Sequence, residues 1–83
     1  MTLDELPVGS SAEILAVGGE GAQRLRLLDL GLIPRTRVML CCAAPLGDPI
    51  GIHLRGGGLT LRRAEAQKIT VRPVEREAGG LPP

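Results

Sequence analysis

Eighty-three residues make one domain and leave no room for a second. With 43% hydrophobic residues, 23% charged residues and a formal net charge of +1, the composition is that of a globular chain, not a disordered one. There is no Phe, Tyr or Trp, which excludes base-stacking platforms, grooves for Pro-rich ligands and aromatic cages for quaternary ammonium groups. Nine of the ten basic residues are Arg, but nine acids balance them, so no electrostatic footprint for nucleic acid stands out. No apolar run approaches the ~18 residues of a membrane span. The opening Met1-Thr2-Leu3-Asp4-Glu5-Leu6 lacks the basic region and apolar stretch of a signal peptide. A cytoplasmic address is expected. Cys41 and Cys42 are adjacent and are the only cysteines. They form neither a disulfide framework nor a C-x-x-C motif, and are expected as small buried or half-buried hydrophobes on a strand.

In chain order, Thr2 is placed to cap a single turn over Leu3–Leu6, stopped by Pro7 and Gly9. Ser11–Val17 alternates Ala12, Ile14 and Ala16 against Glu13, Leu15 and Val17, a first strand ended by Gly18-Gly19. A helix is expected from about Ala22 to Leu30, with Gly31 as its left-handed stop and Pro34 preventing a restart. At about 100° per residue, Leu25, Leu28 and the trailing Leu32 share one stripe, while Leu27 and Leu30 fall on a second. A second strand covers Arg37–Ala43, with Val38, Leu40 and Cys42 inward. A third covers Ile50–Arg55, with Ile50, Ile52 and Leu54 inward. Gly56-Gly57-Gly58 reads as a hairpin tip, followed by a short strand at Leu59–Arg62. A turn at Arg63–Gln67 and a last strand at Lys68–Arg72 complete the domain, taken as residues 1–73. Residues 74–83 collect Gly and Pro and are expected as a flexible tail. Five short strands with one short helix predict a mainly β fold, a small bent antiparallel barrel plugged at one end by the helix.

Catalysis finds no constellation. His53 is the single histidine, without an acid in its own strand, and Ser10 and Ser11 have no nucleophile context. Asp48 between Gly47 and Pro49 is explained by a turn. Gly18-Gly19-Glu20-Gly21 precedes the helix, but Glu20 places negative charge where a phosphate would sit. No enzyme activity and no cofactor are expected. For metal, pairing Leu40 with Leu54 and Cys42 with Ile52 would set Cys41 opposite His53. That is a weak candidate pair, since structural zinc wants four ligands. The arginines are scattered among acids, so a solvated surface is preferred to RNA binding. A helix capping a barrel needs one apolar stripe, so Leu27 and Leu30 are either buried by a flanking loop or available to a partner, with Arg24 and Arg26 alongside.

The segments Leu25-Arg26-Leu27-Leu28-Asp29-Leu30-Gly31-Leu32-Ile33-Pro34, Ala44-Pro45-Leu46-Gly47-Asp48-Pro49-Ile50, Leu59-Thr60-Leu61-Arg62-Arg63-Ala64-Glu65-Ala66 and Ile69-Thr70-Val71 together resemble ferrous iron transport protein A (FeoA), as does Leu6-Pro7-Val8-Gly9-Ser10. The resemblance covers residues 3–72. It implies an SH3-like barrel and a small cytosolic accessory of the FeoB membrane GTPase transporter in bacterial Fe(II) uptake. The family domain also occurs fused to iron-dependent repressors; the start at Met1 within the motif and the lack of a helix-turn-helix lead to the expectation of a stand-alone protein. Self-association stays open. The alternatives are a direct metal-ion carrier or sensor, and an RNA-binding small barrel. Two departures stand out. Pro34-Arg35-Thr36 replaces the family's usual Pro-Gly-Thr, so Arg35 must accept the backbone angle glycine served. Gly57 and Gly58 also stand where a bulky hairpin residue is common. The family carries no agreed catalytic residues, and the partner surface expected from the second leucine stripe is Leu27 and Leu30 with flanking Arg24 and Arg26.

Overall fold

The structure, a computed structural model, describes residues 1–74. After a 3-10 turn at Leu3–Glu5, the elements are β1 (Ser11–Val17), α1 (Gly21–Asp29), β2 (Arg37–Ala43), β3 (Ile50–Leu54), β4 (Gly57–Leu61), α2 (Arg63–Ala66) and β5 (Ile69–Val74). The five strands form one antiparallel sheet in the order β4-β3-β2-β1-β5. Consecutive strands 1 to 4 are neighbours, and β5 returns to the free side of β1. Its outer edge is partly covered by the N-terminus: Thr2 bridges Thr70, and the Val71 N–H donates to the Met1 carbonyl at 2.9 Å. That contact shields an edge which would otherwise template pairing with another chain. The expected tail lies outside the described residues except for Val74, which is the last residue of β5, opposite Ser11. No helix among the described residues is long and apolar enough to cross a membrane.

The core is wholly aliphatic. Ala12, Ile14 and Val17 of β1, Val38 and Leu40 of β2, Ile50, Ile52 and Leu54 of β3, Leu61, Ile69 and Val71 meet Leu3, Leu6, Leu27, Leu32 and Ala66. Among the described residues no polar or charged residue is buried as a whole, although the Asp4 side chain is only 8% exposed. The small turn at Leu3 contributes through its own cap, in which the Glu5 carboxylate accepts the Thr2 N–H at 2.7 Å.

Two bulges correct the expected strand phases. The β1–β5 register slips between Ile14 and Ala16, so Leu15 is the extra residue. A bulge puts two residues against one, and the inward set becomes Ala12, Ile14 and Val17 while Ala16 is exposed. In β2 the register slips between Leu40 and Cys42, so Cys41 is the extra residue. Both cysteines are exposed, so Cys42 is not inward as the alternation suggests and neither is the buried or half-buried hydrophobe expected.

The helix end forms as its residues dictate. Gly31 has φ +98°, its N–H donates to the Leu28 carbonyl at 3.0 Å, and the Leu32 N–H donates to the Leu27 carbonyl at 3.2 Å. This is a Schellman motif, whose geometry brings the residue after the glycine against the start of the last turn. Leu27 and Leu32 are accordingly both fully buried. Each expected stripe is thus split, and Leu25 and Leu27 exchange roles. Leu27 enters the core with Leu28 packed against it, while Leu25 is 59% exposed and Leu30 38% exposed.

Candidate functional site

Of the four residues expected at a partner surface, Leu27 is removed by its burial. The other three remain near one another in sequence on α1 and its C-cap. Arg24 Nε donates to the Val17 carbonyl at 3.1 Å, tying the helix to the end of β1. Arg26 is ion-paired with Glu65 of α2, and its side chain stays 54% exposed. Both arginines therefore brace α1 while keeping charge at its flank. Leu25, Leu30 and Ile33, all exposed, supply the apolar part of this region.

A second exposed element was not singled out from sequence. Leu46 is 95% exposed in the connection between β2 and β3. The connection is held from both sides: the Gly47 N–H donates to the Ala44 carbonyl at 2.7 Å, and the Ala44 N–H to the Pro49 carbonyl at 3.0 Å. The Asp48 carboxylate accepts the Arg63 N–H at 3.0 Å, fastening the loop to the start of α2. A leucine presented by a fastened turn loses little entropy on docking. The signal was the apolar residue inside Ala44-Pro45-Leu46-Gly47-Asp48-Pro49, a segment read for its turn and its family resemblance and not for Leu46 itself.

The metal candidate is corrected by the register. His53 lies opposite Met39, and Leu40 opposite Ile52 rather than Leu54. Cys41, as the bulged residue, has no cross-strand partner, so the Cys41–His53 juxtaposition does not form. Among the described residues, no group of three or more His, Cys, Asp and Glu side chains is placed to share a metal ion.

Six of the eight arginines among the described residues fall into two sets. Arg26, Arg63 and Arg72 form ion pairs with Glu65, Asp4 and Glu13 respectively. Arg35, Arg37 and Arg55 instead converge with His53, Met39 and Ser11 on a cleft of about 460 Å³ at the β1–β2–β3 face. The backbone at Arg35 has φ +75°, as the replaced glycine foreshadows.

A single coiled five-stranded antiparallel sheet over an aliphatic core, with a short helix packed on it, defines a small SH3-like domain. The chain belongs to the FeoA domain family, which it matches over residues 1–73. It is similar to the FeoA protein of Chlorobium tepidum, solved by NMR, at 44% identity and a TM-score of 0.84, covering 99% of this chain and 81% of that one. The FeoA of Stenotrophomonas maltophilia, described as a prokaryotic SH3 domain protein and crystallised with zinc, is 30% identical with a TM-score of 0.76, covering 87% and 89%. A curated relative, the Fe(2+) transport protein A/Fe(2+) transporter FeoB fusion protein of Porphyromonas gingivalis, is 34% identical over 82 residues. That match takes in 99% of this chain and 10% of the relative, so this chain spans about a tenth of that protein's length.

Proposed function

We propose that this chain is a cytosolic accessory of ferrous iron uptake that acts by contact with a FeoB-type GTPase transporter, without a catalytic step of its own. The observation that carries this reading is the relative in which a segment similar to this chain is joined to FeoB in one polypeptide. Covalent linkage raises the local concentration of one part at the other to the millimolar range. It is useful where the two parts work in contact.

The surface proposed for the contact is the exposed side of α1, with Leu25 and Leu30 as apolar contacts and Arg24 and Arg26 at the rim. Leu25 takes the place that Leu27 held in the expectation, because Leu27 has no surface to offer. The test is a pull-down of the purified full-length transporter in detergent or nanodiscs, with and without guanine nucleotide. Leu25→Gln and Leu30→Gln are expected to keep the fold and weaken association. Unchanged association in the folded variants would reject this face. Failure of the unsubstituted chain to associate in any nucleotide state would reject the reading itself.

A further inference from the structure

The cleft on the β1–β2–β3 face is built from strand register. Ser11 lies opposite Met39, and Met39 opposite His53. The same register carried outward by two residues sets Arg37 opposite Arg55, beyond the last paired residue of β3. Two like charges facing one another destabilise a sheet. Nothing in the lining offsets them, since it contains no carboxylate. The nearest acid in the pairing is Glu13, opposite Arg37 on β1, and its carboxylate is engaged by Arg72 from the other side.

Arg35 adds a third cation by a strained route. Ile33-Pro34-Arg35-Thr36 is a tight turn closed by the Thr36 N–H on the Ile33 carbonyl at 3.1 Å, and Arg35 occupies its third position with φ +75°. Such a turn wants glycine or asparagine there. The turn cannot relax, because the Arg35 N–H donates to the Ile14 carbonyl at 2.7 Å and the Ile14 N–H to the Thr36 carbonyl at 2.9 Å. Six other described residues have positive φ, and all six are glycine. Arg35 is the one described position where this chain accepts left-handed strain, and its side chain lines the cleft. Strain of this kind points to use of the side chain.

We propose that this cleft binds an extended acidic segment of a protein partner. The inference rests on the reading that the domain works through protein contact, and it names the chemistry the partner offers. Arg35 and Arg37, like His53 and Arg55, are two residues apart. Alternate positions along an extended chain repeat at about 7 Å, so carboxylates at alternate positions of a partner strand can meet successive guanidinium groups. Half-buried Met39, over the buried Val38 and Leu54 at the floor of the cleft, gives the apolar surface for the carbon stems between them. A single-stranded nucleic acid is the poorer fit, because the chain has no aromatic residue on which a base could stack.

The test is an NMR titration of the full 15N-labelled chain with a synthetic peptide of alternating glutamate and leucine. Its glutamine counterpart, inorganic phosphate and a single-stranded RNA are titrated in parallel. The glutamate peptide is expected to shift the amides of residues 35–39 and 53–55 saturably. The effect should vanish near ~1 M salt, where the screening length falls to about 3 Å. Arg37→Glu and Arg55→Glu should each weaken it about tenfold or more. Arg35→Gly is the sharper variant: it should raise the melting temperature and still weaken binding, whereas a merely structural Arg35 would change only the first. The proposal is overturned if the glutamine peptide binds equally well, if phosphate alone matches the peptide, if the RNA displaces it, or if the arginine variants leave affinity unchanged. The titration needs no transporter, so its failure leaves the pull-down result standing, and the reverse also holds.

Discussion

The exchange of leucine roles on α1 has a direct energetic consequence at Leu27. Leu27→Ala removes three side-chain carbons from a residue that is fully buried. At ~0.8 kcal/mol per carbon the lost transfer energy is about 2.4 kcal/mol. The cavity left behind adds to this, because Leu32 and the sheet relax only partly, for a total of about 3–4 kcal/mol. Helix propensity changes little, since leucine and alanine are both good formers. A domain of this size holds roughly 4–12 kcal/mol in all, so the variant sits near the edge of unfolding. At about 4–8 °C per kcal/mol the melting temperature should fall by roughly 12–30 °C. The chain has no Trp or Tyr, so the transition is followed by far-UV circular dichroism in urea rather than by fluorescence. Leu25→Ala, at a 59% exposed position of the same helix, is the control and should change stability by less than about 0.5 kcal/mol. Equal costs at the two positions, or a Leu27→Ala cost below about 1 kcal/mol, would refute the packing argument.

Three further outcomes follow from local geometry. Gly31→Ala puts a side chain at φ +98° with its Cβ 3.3 Å from Leu54 Cδ1; urea unfolding should show a loss of about 1–2 kcal/mol. A Cβ at Gly51 would stand 2.7 Å from Cys42 Sγ, so Gly51→Ala should cost about 1–3 kcal/mol, and adding Cys42→Ala should restore most of it in the same assay. The Arg26–Glu65 pair, 54% and 13% exposed by side chain, should show a coupling of only about 0.2–1 kcal/mol in a double-mutant cycle, fading with salt.

The residues that made the fold legible are those whose local chemistry leaves little choice. Ser11–Val17 and Arg37–Ala43 occupy the expected bounds, because apolar alternation is cut off by glycine or proline-containing turns on either side. Gly31 ends the helix as expected, for the same reason. The phase inside those elements was less legible. Leu25, Leu27, Leu28, Leu30 and Leu32 are too closely spaced for periodicity to choose among them. The choice is made by the Schellman contact between Leu27 and Leu32, which the position of Gly31 already implied. The bulges at Leu15 and Cys41 left no mark, since an extra residue in an apolar run looks like any other. A register two residues from the expected one was enough to separate Cys41 from His53 and to pair His53 with Met39 instead. That same slip leaves His53 beside Arg55, Arg37 and Arg35 in the cationic cleft.

The missing aromatic residues then set the strength and manner of any contact this surface makes. Interfaces gain most of their affinity from a few buried anchors, chiefly Trp, Tyr and Arg, and here only arginine is present. The aliphatic residues left outside among the described residues, Val8, Leu15, Leu25, Leu30, Ile33 and Leu46, each bury less area than an aromatic ring would. Binding must therefore lean on charge, which speeds association and guides orientation but is screened by salt. A domain built this way is suited to contacts that form quickly and release readily. A long-lived complex would need the larger apolar area that its aliphatic core has already drawn inward.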